Sequence, residues 1–253
     1  MTLLLTFILG AILGSFLNVV IDRLSTGRGI VGGRSYCEHC KKTLSPIDLI
    51  PIFSYLFLGG KCRFCRKKIP VRLIVVETLS GLTFLFVATL AMNQIVTIVS
   101  AIFLVIILWS FIGIFFADIE YGIIPDLLVI VSTVATAFYL YEKHLSLTNH
   151  LYSGLCALIF FLILFAITKG RGMGFGDVKF SFVLGLLLGF PSVIVALYIA
   201  FLTGALVSII LVVWRKLRFF GSTIPFGPFL VISVIISLFW GDQILQIFLS
   251  HFL

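Results

Sequence analysis

Residues 95–117 read IVTIVSAIFLVIILWSFIGIFFA, twenty-three positions without a charged side chain. Coiled at about 1.5 Å per residue, that stretch is about 34 Å long, enough to cross a hydrocarbon core of about 30 Å. Its unbroken apolarity excludes a membrane β-barrel, whose strands alternate apolar and polar residues. The run ends at Asp118 in a short polar turn, and the same pattern repeats on both sides. Apolar runs at 2–21, 71–91, 127–140, 151–168, 178–190, 192–214 and 228–248 bring the total to eight. The fold class is therefore all-α: a polytopic helical membrane protein of about eight transmembrane helices.

Composition points the same way. Hydrophobic residues make up 61% of the 253, charged residues only 11%, and mean hydropathy is +1.25. Soluble domains carry about 25% charged residues, so a soluble enzyme, a disordered chain and a disulfide-dense secreted module are all excluded. The sixth run is short, and runs six and seven would also fit a re-entrant hairpin around Pro191. Small residues four apart, Gly10 and Gly14, Gly185 and Gly189, Gly204 and Ser208, predict close approach of helix backbones.

The net charge of +8 is unevenly placed. Eleven of the 18 Lys and Arg residues lie between Arg23 and Arg72, and most others lie in loops at 169–179 and 215–218. Threading the spans from outside puts every basic residue but Lys143 on the cytoplasmic side, which orients the chain. Both termini then lie outside. The first run has no basic residue before it, whereas Arg23, Arg28 and Arg34 follow it, the reverse of a secretory signal; it reads as a retained helix. Few aromatics interleave with the basic stretch, so no nucleic-acid partner is expected. The chain divides into a first helix (1–21), a cytoplasmic segment (22–70) and a membrane-embedded bundle (71–253).

Within the cytoplasmic segment, Cys37-Glu-His-Cys40 and Cys62-Arg-Phe-Cys65 form two C-x2-C pairs separated by 21 residues. This spacing suits one tetrahedral Zn2+ with no open position, a structural ion that stabilises a loop too small for its own core. A reducing cytoplasm disfavours the alternative of disulfides. His39 reads as exposed rather than as a ligand, and Cys156 as a packing residue in an apolar run.

Ten acidic residues are few enough to weigh singly. Glu77 lies about two turns into the second span and needs a partner or a water-filled cavity. Asp22, Asn18 and Gly14 form a small and polar stripe on the first helix. Asp118 and Asp177 fall at the same cytoplasmic membrane boundary, on separate helices. Gly172, Gly174 and Gly176 precede Asp177, permitting positive φ and an open backbone for an extended peptide. Two facing aspartates suit peptide hydrolysis, one activating water and the other polarising the carbonyl. The same acids would also suit helix N-termini. A proton-coupled transporter is the alternative, although it would place acids near the bilayer midplane and show internal repeats, and none is seen.

The chain resembles the type IV prepilin peptidases over nearly its whole length. The residues carrying the resemblance run in order: Gly14-Ser15-Phe16-Leu17-Asn18 through Asp22-Arg23-Leu24, both cysteine pairs, Asp48-Leu49-Ile50-Pro51, Ser54-Tyr55-Leu56, Gly60-Lys61-Cys62-Arg63, Glu77, the 118–126 stretch, Gly172-Met173-Gly174-Phe175-Gly176-Asp177-Val178-Lys179, and Ile224-Pro225-Phe226-Gly227-Pro228-Phe229. The GxGD element is shared with other membrane proteases, but its combination with two C-x2-C pairs is specific. The resemblance implies a bacterial inner-membrane enzyme in which Asp118 and Asp177 are the catalytic pair, supported by Gly174, Gly176 and Lys179. It further implies cleavage of the short basic leader of a prepilin or pseudopilin after its terminal Gly. Methylation of the new amine by S-adenosylmethionine would follow, with Asn18, Arg23 and Glu77 as contributors. The lipid bilayer holds the substrate helix while its leader stays cytoplasmic.

Overall fold

The computed structural model describes residues 2–30, 32–170, 172–214 and 224–252. Among these, nine α-helices and one 3-10 turn occur, with no strand beyond two isolated bridges. The order is α1 (Thr2–Ser25), the 3-10 turn (Pro46–Leu49), α2 (Phe53–Phe57), α3 (Val71–Met92), α4 (Ile98–Tyr121), α5 (Asp126–Glu142), α6 (Leu147–Ile167), α7 (Phe175–Leu188), α8 (Ser192–Val213) and α9 (Gly227–Phe252). Each of the eight apolar runs has become one long helix. Arg171 and the basic cluster at 215–218, both read as cytoplasmic loop, lie outside the described residues.

Among the described residues six helices, α1, α3, α4, α6, α8 and α9, are long and apolar enough to cross a membrane. The other two fall short: α5 has 17 residues and α7 only 14. At about 1.5 Å per residue α7 is about 21 Å long, less than a hydrocarbon core. Nine of its 14 residues are buried, and α5, α6, α8 and α9 all pack against it. A helix packed against four others has less need to match the bilayer thickness, because its neighbours supply most of its surroundings.

The chain splits into two compact units, Met1–Phe116 and Ala117–Leu253. In the first, α1 packs on α3 along a seam of small residues. A Cβ at Gly14 would stand 2.8 Å from the Glu77 Cα and the Ser80 Cβ, and one at Gly10 would stand 2.7 Å from the Ser80 carbonyl. Helix α1 continues a full turn past its apolar run, to Ser25, so Asp22 is helical and accepts a 2.6 Å bond from Arg72 at the start of α3. The Trp109 indole of α4 donates to the Leu13 carbonyl.

In the second unit, Gly154 of α6 and Gly185 of α7 face each other; a Cβ on Gly185 would lie 2.5 Å from the Ser153 carbonyl oxygen. Gly189 has a different role from the one its spacing predicts. It ends α7 with φ +69 and lies under the His150 ring, whose Nδ1 is 2.9 Å from the Leu186 carbonyl. Beside it the Asn149 side chain accepts from the Phe190 N–H and donates to the Phe190 carbonyl. Overpacking a close helix contact typically destabilises by about 1–3 kcal/mol. Gly185→Ala is therefore expected to lower stability by that order, read as a fall in thermal midpoint in detergent relative to the parent protein.

Candidate active site and metal centre

Asp118 and Asp177 both belong to the second unit and are 6% and 5% exposed. Asp118 lies in the last turn of α4, inside the helix rather than in the turn after it. Its Oδ2 accepts a 2.8 Å hydrogen bond from the backbone N–H of Gly227, the first residue of α9. A helix start leaves N–H donors without intrahelical partners, and Asp118 satisfies one of them from another helix. Room for this contact exists only because residue 227 is glycine: a Cβ there would stand 2.7 Å from the same oxygen. The ring of Phe226, next in the chain, packs with Phe161, Phe201 and Phe229 at centroid distances of 5.3 to 6.2 Å, which fixes the turn that presents this N–H.

Asp177 is the third residue of α7 and reaches back to its own helix start. Its Oδ2 accepts from the Gly174 N–H at 3.0 Å, the acidic half of a capping box. Its Oδ1 is buried and has no hydrogen-bond partner. The two carboxylates lie near enough to interact electrostatically. The sequence left catalysis and helix capping as competing readings; in the structure one oxygen of each acid serves a helix start.

The glycines of the Gly-rich stretch do something other than expected. None of Gly172, Gly174 and Gly176 has positive φ, which falls instead on Lys169 and Gly170. The stretch is glycine-rich for space: a Cβ at Gly176 would meet the Ile124 Cβ at 2.8 Å, and one at Gly172 would meet Thr168 at 3.0 Å. Lys179 pairs with Asp126 at the start of α5 and lies 5.2 Å from the Phe175 ring centroid. Exposed pairs of this kind contribute little stability, about 0–1 kcal/mol, so this one ties α5 to α7 mainly as a geometric restraint. Gly227, placed by sequence only within the Ile224–Phe229 resemblance, is the residue that reading missed. No local pattern marks it, because its partner is 109 positions away.

In the first unit, Cys37, Cys40, Cys62 and Cys65 bring four sulfurs within 4.8 Å of one another, with Cys37 and Cys65 at 3.8 Å. A tetrahedron with metal–sulfur bonds of about 2.3 Å has edges of about 3.8 Å, so the cluster could hold a metal ion. Each pair sits in the same turn: Lys41 N–H to the Cys37 carbonyl and Arg66 N–H to the Cys62 carbonyl, with Lys41 and Arg66 at φ 58 and 59. The backbone N–H groups of Cys65 and Phe64 draw the Cys62 thiol down to about 7. The Lys67 N–H would lower Cys65, but burial and its three neighbouring thiols push it up to about 11. Four thiols in one cluster cannot all ionise unaided, and a cation resolves that conflict.

Between the pairs, burial pushes the Asp48 carboxyl up, but hydrogen bonds from Ser45 and the charge of Arg63 outweigh it and hold Asp48 below its usual value. Its contribution to folding is full above that usual value and fades only as pH falls through the lowered one.

A cavity of about 440 Å3 opens beside this cluster, and Asn18, Arg23 and Glu77 all line it, with Asp48, Ser54 and Tyr55. Asn18 donates to the Leu73 carbonyl at 3.0 Å, while its Oδ1 is buried without a partner. Arg23 is committed to the carbonyls of Ile30, Gly32 and Gly33 and shapes the rim. Glu77 is 9% exposed and accepts from the Ile52 N–H at 2.7 Å, the partner its depth in the span requires.

Residues 8–91 match the Bacterial Peptidase A24 N-terminal domain and residues 102–209 match the Type IV leader peptidase family. The chain is similar to the prepilin leader peptidase/N-methyltransferase of Pseudomonas aeruginosa, 31% identical over 98% of this chain and 93% of that one. It is 29% identical to the protein of that name from Aeromonas hydrophila, covering 98% and 94%, and 29% identical to the one from Bacillus subtilis, covering 96% of each. No solved structure matches.

The purified protein is expected to carry about one thiophilic metal ion per chain by elemental analysis. Cys62→Ser should lose it and expose the segment to protease, whereas Cys156→Ser should retain it.

Proposed function

Since the chain belongs to the type IV leader peptidase family, we propose that it cleaves the leader from prepilin or pseudopilin precursors and N-methylates the new terminus. The observation that carries the peptidase reading is the pair of buried aspartates, each anchored through one oxygen by a backbone N–H, with Asp177 Oδ1 left without a partner. Anchoring through the backbone fixes where the remaining oxygens lie, which is what a general acid–base pair requires. In the hydrolytic step an ionised carboxylate takes a proton from water as its oxygen attacks the scissile carbonyl. The protonated partner hydrogen-bonds the carbonyl oxygen as charge develops there. Collapse breaks the C–N bond and the leaving amine takes up a proton, restoring one shared proton to the pair. Gly174 and Gly176 serve the pair by giving α7 its start against Ile124, and Lys179 by tying that start to Asp126.

For the cysteine cluster we assign Zn2+, bound by Cys37, Cys40, Cys62 and Cys65. The sulfur spacing and the four-thiol donor set support it. Its role is structural, holding the walls of the adjoining cavity. We assign that cavity to S-adenosylmethionine. Its volume lies within the usual range for small-molecule sites, about 300–1,000 Å3. Asn18 Oδ1 offers an unused acceptor, Glu77 a buried carboxylate, and Arg23 maintains the rim. When bound, the cofactor supplies the methyl group for the pilin amine. Distribution of basic residues supports a multi-pass inner-membrane arrangement with both termini outside and the aspartates cytoplasmic. A substrate whose apolar helix stays in lipid then presents its leader junction at their level.

Incubation with a prepilin and S-adenosylmethionine, followed by mass measurement of the released N-terminus, is expected to show cleavage plus one methyl group. Asp118→Asn and Asp177→Asn should each abolish cleavage while the protein still inserts and keeps its metal. Near-normal cleavage by both would sink the assignment. Gly227→Ala, which pushes into Asp118 without removing a carboxylate, should reduce kcat at least ~10-fold, on the scale of a misplaced catalytic group.

A further inference from the structure

The segment between the two cysteine pairs presents an apolar face. Ile47 on the 3-10 turn is 63% exposed, and Phe53, Leu56 and Phe57 on α2 are 61%, 62% and 88% exposed. Phe53, Leu56 and Phe57 fall at i, i+3 and i+4, so they share one side of the helix. Ser54, Tyr55 and Leu58, on the other side, line the cavity. Exposed apolar residues on the long helices are what lipid requires, but these four stand in a segment with nine Lys and Arg residues and two acids between 26 and 70. A contiguous apolar patch rimmed by charge marks an interaction surface.

The depth of this patch follows from one hydrogen bond. Ile52, immediately before α2, has φ 64 and ψ −54, and the Phe53 N–H turns back to the Pro51 carbonyl at 2.6 Å. That is a γ-turn of the positive-φ kind, a strained conformation and rarer still for a β-branched residue. What holds it is the Glu77 carboxylate, which accepts the Ile52 N–H at 2.7 Å. Glu77 lies six residues beyond Val71, the first residue of α3, about 9 Å along the helix axis. Helix α3 is itself long and apolar enough to cross a membrane. The chain at Ile52 is thus drawn down beside the first two turns of a helix long and apolar enough to span. Lys61 and Arg66, which do not line the cavity, are exposed in the same segment, matching in charge an anionic lipid surface.

We propose that residues 46–57 form an interfacial anchor: Ile47, Phe53, Leu56 and Phe57 enter the headgroup–acyl boundary while the neighbouring basic residues meet anionic lipid headgroups. This goes beyond the peptidase and methyltransferase readings and stands independently of both. One wall of the cavity is then held by lipid on its outer face.

The test places Phe57→Trp and, separately, Phe53→Trp in a background with Trp109, Trp214 and Trp240 replaced by Phe, reconstituted in vesicles of phosphatidylcholine with or without phosphatidylglycerol. Both indoles are expected to emit at short wavelength and to be quenched several-fold more by a lipid nitroxide at a shallow acyl position than by aqueous iodide. Omitting phosphatidylglycerol should weaken the nitroxide quenching. Emission of a hydrated indole, quenched by iodide and untouched by the nitroxide, overturns the anchor. Short-wavelength emission insensitive to both quenchers also overturns it, because another protein surface would then cover the face. Quenching that ignores phosphatidylglycerol overturns the headgroup contact. Hydrogen exchange on the unsubstituted protein in nanodiscs provides a reading free of any folding defect. Lipid-dependent protection of the amides of α2 is expected, and its absence counts against the proposal.

Discussion

A helix start leaves N–H groups that need acceptors from outside its own ladder, and this need governs the second unit. Helix α7 meets it with Asp177 from its own first turn, and α9 meets it with Asp118 from the end of α4. Each carboxylate is thereby oriented by backbone, without a flexible cation to hold it. The packing of Phe161, Phe201, Phe226 and Phe229 keeps the start of α9 where Asp118 needs it. The short, enclosed α7 does the same for Asp177, since a helix surrounded by four others has little freedom to tilt.

Much of this was legible in advance, for a physical reason. In lipid, apolar length alone specifies a helix, so all eight apolar runs became helices, although α5 and α7 proved too short to meet the length of a span. The cysteine spacing was legible because ligand geometry is local to each turn, and the four sulfurs do converge. The features that escaped depend on contacts distant in sequence. Gly227 looks like any turn glycine until Asp118 arrives from 109 positions away. Ile52 gives no sign of a γ-turn until Glu77 takes its N–H. Flexibility was the natural reading of three alternating glycines, but Ile124 and Thr168 show that two of them are there to make room.

The two C-x2-C pairs and the 21 residues between them act as one device. The pairs fasten the ends of the insert, Asp48 and Arg63 join its middle to the second pair, and Glu77 pulls its far edge toward α3. The insert then has two faces with opposite tasks, Ser54, Tyr55 and Leu58 toward the cavity and Phe53, Leu56 and Phe57 away from it. A segment of this size has too little core to hold such a shape alone; four converging sulfurs at one end and the buried Glu77 carboxylate at the other supply points of attachment.

The Gly227 and Gly174 donors that hold Asp118 and Asp177 are main-chain groups, and this alters how the site tolerates genetic change. A side-chain partner can be erased by many substitutions; a peptide N–H is removed only by proline, although at residue 227 any Cβ would still crowd the Asp118 oxygen. The mutational target for losing the Gly174 donor is therefore very small. At residue 174 a side chain would meet Asp177 only at ordinary contact distance, so the two positions differ: drift is free at that donor and blocked at residue 227 by the room its N–H needs.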